Sequence, residues 1–163
     1  MVRRERGTQL VEFAIMLPVI VLLALIAAEG ANMFRVYELV ANAAREGARL
    51  SSLYQYSYTA QGLKSATDTC TFTDKNMTSG DTVCQGVANY AQDNGLIGAA
   101  LQQCGTFTVN LNQAYTAPDD STARYSQVSA VCTYQLQWLP KLPFYSTVSS
   151  VNITGTTAFL NFW

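Results

Sequence analysis

Few residues in this 163-residue chain have the chemistry to act on anything: four cysteines, one carboxylate inside an apolar run and one adjacent pair of aspartates, with no histidine. Cys70, Cys84, Cys104 and Cys132 are separated by 13, 19 and 27 residues. Zinc sites draw on closely spaced cysteine pairs and usually histidine, so a metal centre is not expected. An even number of cysteines suits two disulfides in an oxidising compartment. Three connectivities are possible, and Cys70–Cys84 with Cys104–Cys132 is favoured because each closes a local loop. Asp119 and Asp120 lie in Ala117-Pro-Asp-Asp-Ser121, where turn formation already accounts for their type. Without histidine the usual general base is missing, and no glycine-rich phosphate loop occurs. The expected chemistry is structural, with no enzyme activity, no cofactor and no metal.

The carboxylate is Glu12, the only charge between Thr8 and Ala28. An ionisable group in such a run is costly enough that it normally has a task. At about 1.5 Å per residue, the 21 residues from Thr8 to Ala28 are long enough to cross a hydrocarbon core about 30 Å thick. Arg3, Arg4 and Arg6 precede the run and favour a cytoplasmic N-terminus, which leaves everything after Ala28 on the far side. A secretory signal peptide shares the basic start, but its apolar region is about 7–15 residues long and ends at a small-residue cleavage site. Here the run is longer and Ala27-Ala28-Glu29-Gly30 fits such a site poorly.

The helical pattern also continues past Ala28. Val36, Val40, Ala43, Gly47 and Leu50 recur at spacings of three and four, while Arg35, Glu38, Asn42, Arg45, Glu46 and Arg49 take other faces. No proline falls between Val19 and Ser52, so one helix is expected from about Thr8 to Leu53, roughly 65–70 Å long. Pro18 predicts a kink within it rather than a break. Ala43 and Gly47, four apart, predict a close approach to another helix or to the head that follows.

Beyond Leu53 four cations face six carboxylates, a net of 4 − 6 = −2, and the surface composition is otherwise neutral and polar. Nothing there would attract nucleic acid. Tyr54–Gly80 is polar and aperiodic and is expected to be a loop pinned by the first disulfide. Asp81 is positioned to cap a helix on which Val83, Val87, Tyr90 and Ala91 share a face, ending near Asn94-Gly95. The period then changes to two: Phe107, Val109 and Leu111; Val128 through Leu136 and Trp138; and, after a Pro140–Pro143 loop, Val151 through Phe159. This predicts an antiparallel meander with one face on a helix and one in solvent. The apolar ending, with Phe162 and Trp163, is a candidate partner interface, a closure of the core or a membrane-surface anchor. The expected class is α+β. A basic leader (1–7) precedes a long helix (8–53, membrane-spanning over about 8–28), followed by a disulfide-bonded head (54–163) with a short helix and three or more antiparallel strands.

Two segments of the first fifty residues carry a resemblance. Gly7-Thr-Gln-Leu-Val-Glu-Phe13 resembles the processing site of type IV pilin-like proteins, and Asn42-Ala-Ala-Arg-Glu-Gly-Ala-Arg49 resembles the helix of TadE-like pseudopilins of the tight-adherence (Tad) pilus machinery. The resemblance implies that a prepilin peptidase cuts between Gly7 and Thr8, leaving Glu12 at the fifth mature position, with Phe13 beside it, to pair with the Thr8 amine of a neighbouring subunit. Glu12 would otherwise reach headgroups and water at the membrane surface. Asn42, Arg45, Glu46, Gly47 and Arg49 are the matching helix residues. Implied partners are other pilin-like subunits, the peptidase, the pilus assembly platform and the membrane. The implied role is a minor pseudopilin in pilus assembly and surface adherence, held in the inner membrane with a periplasmic head before entering an extracellular pilus. Two alternatives stay open: a major filament subunit, and an anchored binding module that uses Tyr54, Tyr56 and Tyr58 and never polymerises.

Overall fold

Ala, Leu, Met, Gln, Glu and Arg make up most of the first fifty positions, and these lose little side-chain freedom in a helix. The computed structural model describes residues 5–53, 58–59, 62–63, 67–73, 76–77, 82–98, 103–117, 120–138 and 149–161. In it, helix α1 runs unbroken from Glu5 to Ser51 and carries Pro18 in its interior. It starts inside the segment expected to be a leader, because Glu5 and Arg6 are good helix formers and one glycine is tolerated. It closes with Leu53 N–H donating to the Leu50 carbonyl at 3.2 Å, the tightened last turn that satisfies an otherwise free carbonyl.

The chain forms two compact units, Met1–Met33 with Leu136–Ser149, and Phe34–Gln135 with Ser150–Trp163; α1 contributes to both. The second unit holds the sheet. Strands β3 (Thr67–Thr73), β4 (Asn76–Met77), β5 (Cys104–Ala117), β6 (Asp120–Gln135) and β7 (Ser150–Leu160) lie in the order β4-β3-β5-β6-β7, all antiparallel. A separate hairpin joins β1 (Tyr58–Thr59) to β2 (Gly62–Leu63). Helix α2 (Thr82–Asp93) lies between β4 and β5 in sequence.

Pairing register explains why the core falls where it does. Cys70, Val109, Ala130 and Gly155 form one row across the sheet, and Phe72, Phe107, Cys132 and Ile153 the next. Because side chains alternate between faces, both rows point the same way, and all eight residues are buried. Against them α1 contributes Val36, Val40, Ala43, Ala44 and Ala48, and α2 contributes Val83, Val87 and Ala91, all inaccessible to solvent. The first row narrows toward β7, from Val109 through Ala130 to Gly155. There a Cβ on Gly155 would stand 2.8 Å from Ala41 Cα, so α1 meets β7 backbone to backbone.

The opposite face is polar and bonded across strands. Thr69 Oγ1 donates to Asn110 Oδ1 at 3.1 Å, Thr156 Oγ1 lies 3.2 Å from Ser129 Oγ, and Thr133 Oγ1 donates to Asn152 Oδ1 at 3.1 Å. Such cross-strand pairs are each worth roughly 0.2–1 kcal/mol.

Two expectations need correcting and a third, the end of the short helix, is met. Tyr54–Gly80 is not simply a loop, since β3 lies within it and pairs with β5 from Thr67↔Asn112 to Phe72↔Phe107. Its own sequence, Thr67-Asp-Thr-Cys-Thr-Phe-Thr73, does alternate, but only Cys70 and Phe72 are apolar, too few to mark a strand without its partner. Strand β6 stops at Gln135 rather than continuing through Trp138, because Leu136–Trp138 bends away and bonds elsewhere. Helix α2 ends near the expected glycine: Leu96 N–H donates to the Ala91 carbonyl at 2.8 Å and Gly95 N–H to the Gln92 carbonyl at 3.0 Å, with Gly95 at φ +74°. That is a Schellman closure, which needs the left-handed conformation glycine adopts without strain. Asp81, Asp119, Pro140–Pro143, Tyr54 and Tyr56 lie outside the described residues.

Candidate assembly helix

The first half of α1 exposes apolar side chains all round. Leu10, Phe13, Ile15 and Leu23 are each at least 59% exposed, and Val11, Met16, Val19, Ile20 and Ile26 are also exposed. A helix apolar on every side belongs in a low-dielectric medium or a bundle of its own kind. Among the described residues α1 is the helix long and apolar enough to cross a membrane. Glu12 is exposed within this surface and has no hydrogen-bond or ion-pair partner among the described residues. Gly7 and Thr8 lie in the opening turns of the same helix.

At the other end of the apolar stretch stands a residue whose role only the fold reveals. Glu29 is 2% exposed, and its two carboxylate oxygens accept from backbone N–H groups of one bend, Oε1 from Gln137 and Oε2 from Trp138, each at 3.1 Å. Leu136 N–H donates to the Ser149 carbonyl at 3.1 Å, which closes the base of that segment. A buried carboxylate is tolerated only when its charge is met by donors, and two converging amides supply them. The available signal was a lone carboxylate at the end of an apolar run, but the donors lie 108 and 109 residues away and carry no side-chain signature.

Farther along α1, the segment Asn42–Arg49 divides by face. Gly47 is buried where a Cβ would lie 2.7 Å from Val87 Cγ2 and 3.1 Å from Val128 Cγ1. Arg45 Nη1 donates to Asn42 Oδ1 at 2.7 Å, and Arg49 donates from Nε and Nη2 to the two oxygens of Glu46 at 3.1 and 2.8 Å. The hydrogen bond to Glu46, reinforced by its charge, holds the exposed Arg49 guanidinium above its ordinary pKa. Tyr37, Glu38, Ala41, Asn42 and Arg45 line an open groove of about 370 Å³ on this stretch.

In the head, disulfides join Cys70 to Cys84 and Cys104 to Cys132, with Cα separations of 6.3 and 5.3 Å. The first ties β3 to α2 and the second ties β5 to β6. Among the described residues no three candidate ligands gather at a metal position. Near the chain end, Ser126 Oγ lies 2.7 Å from Asn161 Oδ1 and 3.3 Å from the Ser51 carbonyl, and Asn161 N–H donates to Arg124 at 2.9 Å. These contacts link the end of β7 to β6 and to the last turn of α1. Phe162 and Trp163 lie outside the described residues.

No curated protein and no solved structure matches the chain. Residues 7–49 match the family model described as TadE-like protein, a match that runs from the first turns of α1 to its Glu46–Arg49 pair and stops short of the head. Over its N-terminal helix the chain is therefore similar to the TadE-like family.

Proposed function

We propose that the chain is a minor TadE-like pseudopilin. It is held in the inner membrane by the first half of α1, with its head in the periplasm, and takes part in building a tight-adherence pilus and in surface adherence. Residues 1–7 are a leader removed by a prepilin peptidase between Gly7 and Thr8, residues 8–53 act as the assembly helix with its span over about 8–28, and residues 54–163 form the head. The observation that carries this reading is Glu12, an exposed carboxylate among the exposed side chains of Leu10, Val11, Phe13 and Ile15. A charge in apolar surroundings is strongly disfavoured until it is met. The free amine that cleavage creates at Thr8 of a neighbouring subunit or another pilin-like partner would meet it, fixing the stagger between helices with Phe13 packed alongside.

Mass spectrometry of the protein from membranes and from sheared filaments tests the reading. A mature N-terminus at Thr8, with the protein scarce in filaments, is expected; an intact Met1 in a membrane-only pool overturns it, and abundance in filaments moves the role to major subunit. Glu12→Ala leaves the helix in the membrane but breaks the pair. Leaving one partner of a buried ion pair unmet costs about 3 kcal/mol or more, so filament incorporation should fall roughly a hundredfold.

A further inference from the structure

The segment that Glu29 captures has no place in the assembly role. Along α1 Glu29 lies 17 residues after Glu12, about 26 Å at the helical rise, close to the roughly 30 Å of a hydrocarbon core. The two carboxylates therefore bracket the apolar stretch, with Glu29 at the level of the outer boundary. Its bonds to Gln137 and Trp138 bring the Leu136–Trp138 bend to that same level. Trp138 is 49% exposed there. A large aromatic ring with one N–H donor is poorly served by water and well served by the headgroup region, where tryptophans of membrane proteins gather. In sequence Trp138 is followed by Leu139-Pro-Lys-Leu-Pro-Phe-Tyr145, apolar and aromatic apart from a single lysine.

We propose that the Leu136–Trp138 bend, clasped to α1 by Glu29, is a second membrane contact that lays Trp138 into the headgroup region of the outer-facing leaflet, the bilayer itself being its partner. The clasp satisfies two backbone donors that a headgroup region would otherwise leave poorly bonded, and it fixes how deep the indole reaches. The proposal rests on the reading of α1 as a membrane span, so its test reports on the two separately.

The full-length protein carrying Trp163→Phe keeps Trp138 as its sole tryptophan. It is reconstituted in phosphatidylcholine and phosphatidylglycerol vesicles, with phosphatidylcholine brominated either near the ester carbonyls or near the chain ends. A bimane label on Val19→Cys, in mid-span, reports insertion of α1. Expected are bimane quenching by the deep bromines, a blue-shifted Trp138 emission quenched mainly by the shallow ones, and loss of roughly half of that shallow quenching in Glu29→Ala. A quenched bimane beside an unquenched Trp138 overturns the proposal and leaves the span standing, whether the tryptophan emission is water-like or blue-shifted under a protein cover. An unquenched bimane overturns both. Unchanged Trp138 quenching in Glu29→Ala overturns the clasp.

Discussion

Gly155→Ala tests the backbone contact between β7 and α1. The added Cβ would stand 2.8 Å from Ala41 Cα, 2.9 Å from Ala41 N and 3.1 Å from the Val40 carbonyl carbon, all backbone atoms of α1. Carbon atoms pack at about 3.5–4.0 Å, so the helix must shift by roughly half an ångström or more, or the strand must bow. Forcing an extra methyl into a packed site costs about 1–3 kcal/mol. The opposing effect is real: where a glycine's conformation suits any residue, alanine stabilises by about 0.4–1 kcal/mol through the unfolded chain. The steric cost wins because no rotamer change moves a helix backbone, leaving a net loss of about 1–2 kcal/mol. For a head of this size that lowers Tm by about 4–8 °C. Thermal unfolding of the full-length protein in detergent micelles, followed by near-ultraviolet circular dichroism, measures it. Ala41→Gly should not rescue the variant, since the clash is with Cα and N rather than with the Ala41 side chain. A Tm at or above wild type for Gly155→Ala, or recovery with Ala41→Gly, refutes the backbone-contact argument.

The other predictions follow from the same packing. Gly47→Ala meets Val87 Cγ2 at 2.7 Å and Val128 Cγ1 at 3.1 Å, but these are methyl groups and the substitution gains about 1 kcal/mol of helix propensity, so by the same melt it should lie within about 1 kcal/mol of wild type and above Gly155→Ala. Replacing Cys70 and Cys84 together by serine frees a link across 14 residues of sequence, worth about 3 kcal/mol in loop entropy, and should lower the head's Tm about as much as mild reductant lowers that of a variant keeping only this bridge; no change in either melt would show that β3 and α2 hold together without it.

How much was readable before folding depends on the range over which each feature is encoded. The long helix was legible because its evidence is local: spacings of three and four over Val36–Leu50 and an apolar run of membrane length can be counted along the chain. Strands β5, β6 and β7 were legible through alternation, and the Ala117–Ser121 turn signal lies at the junction of β5 and β6. Strand β3 was not, because its apolar pair, Cys70 and Phe72, gains meaning only beside Val109 and Phe107. The end of β6 was missed for a related reason: Leu136 and Trp138 continue the alternation, but the backbone donors of Gln137 and Trp138 go to Glu29 rather than along the sheet.

The sequence by itself therefore determined the elements whose periodicity is self-contained, together with the short motifs from Gly7 to Phe13 and from Asn42 to Arg49. Only the tertiary structure decided which rows cross the sheet, why Gly155 must lack a side chain opposite Ala41, and that Glu29 is answered by amides 108 and 109 residues away. The physical reason is that backbone N–H groups and glycine hydrogens are chemically the same at every position, so their roles are assigned by which surfaces meet and leave no trace in residue type.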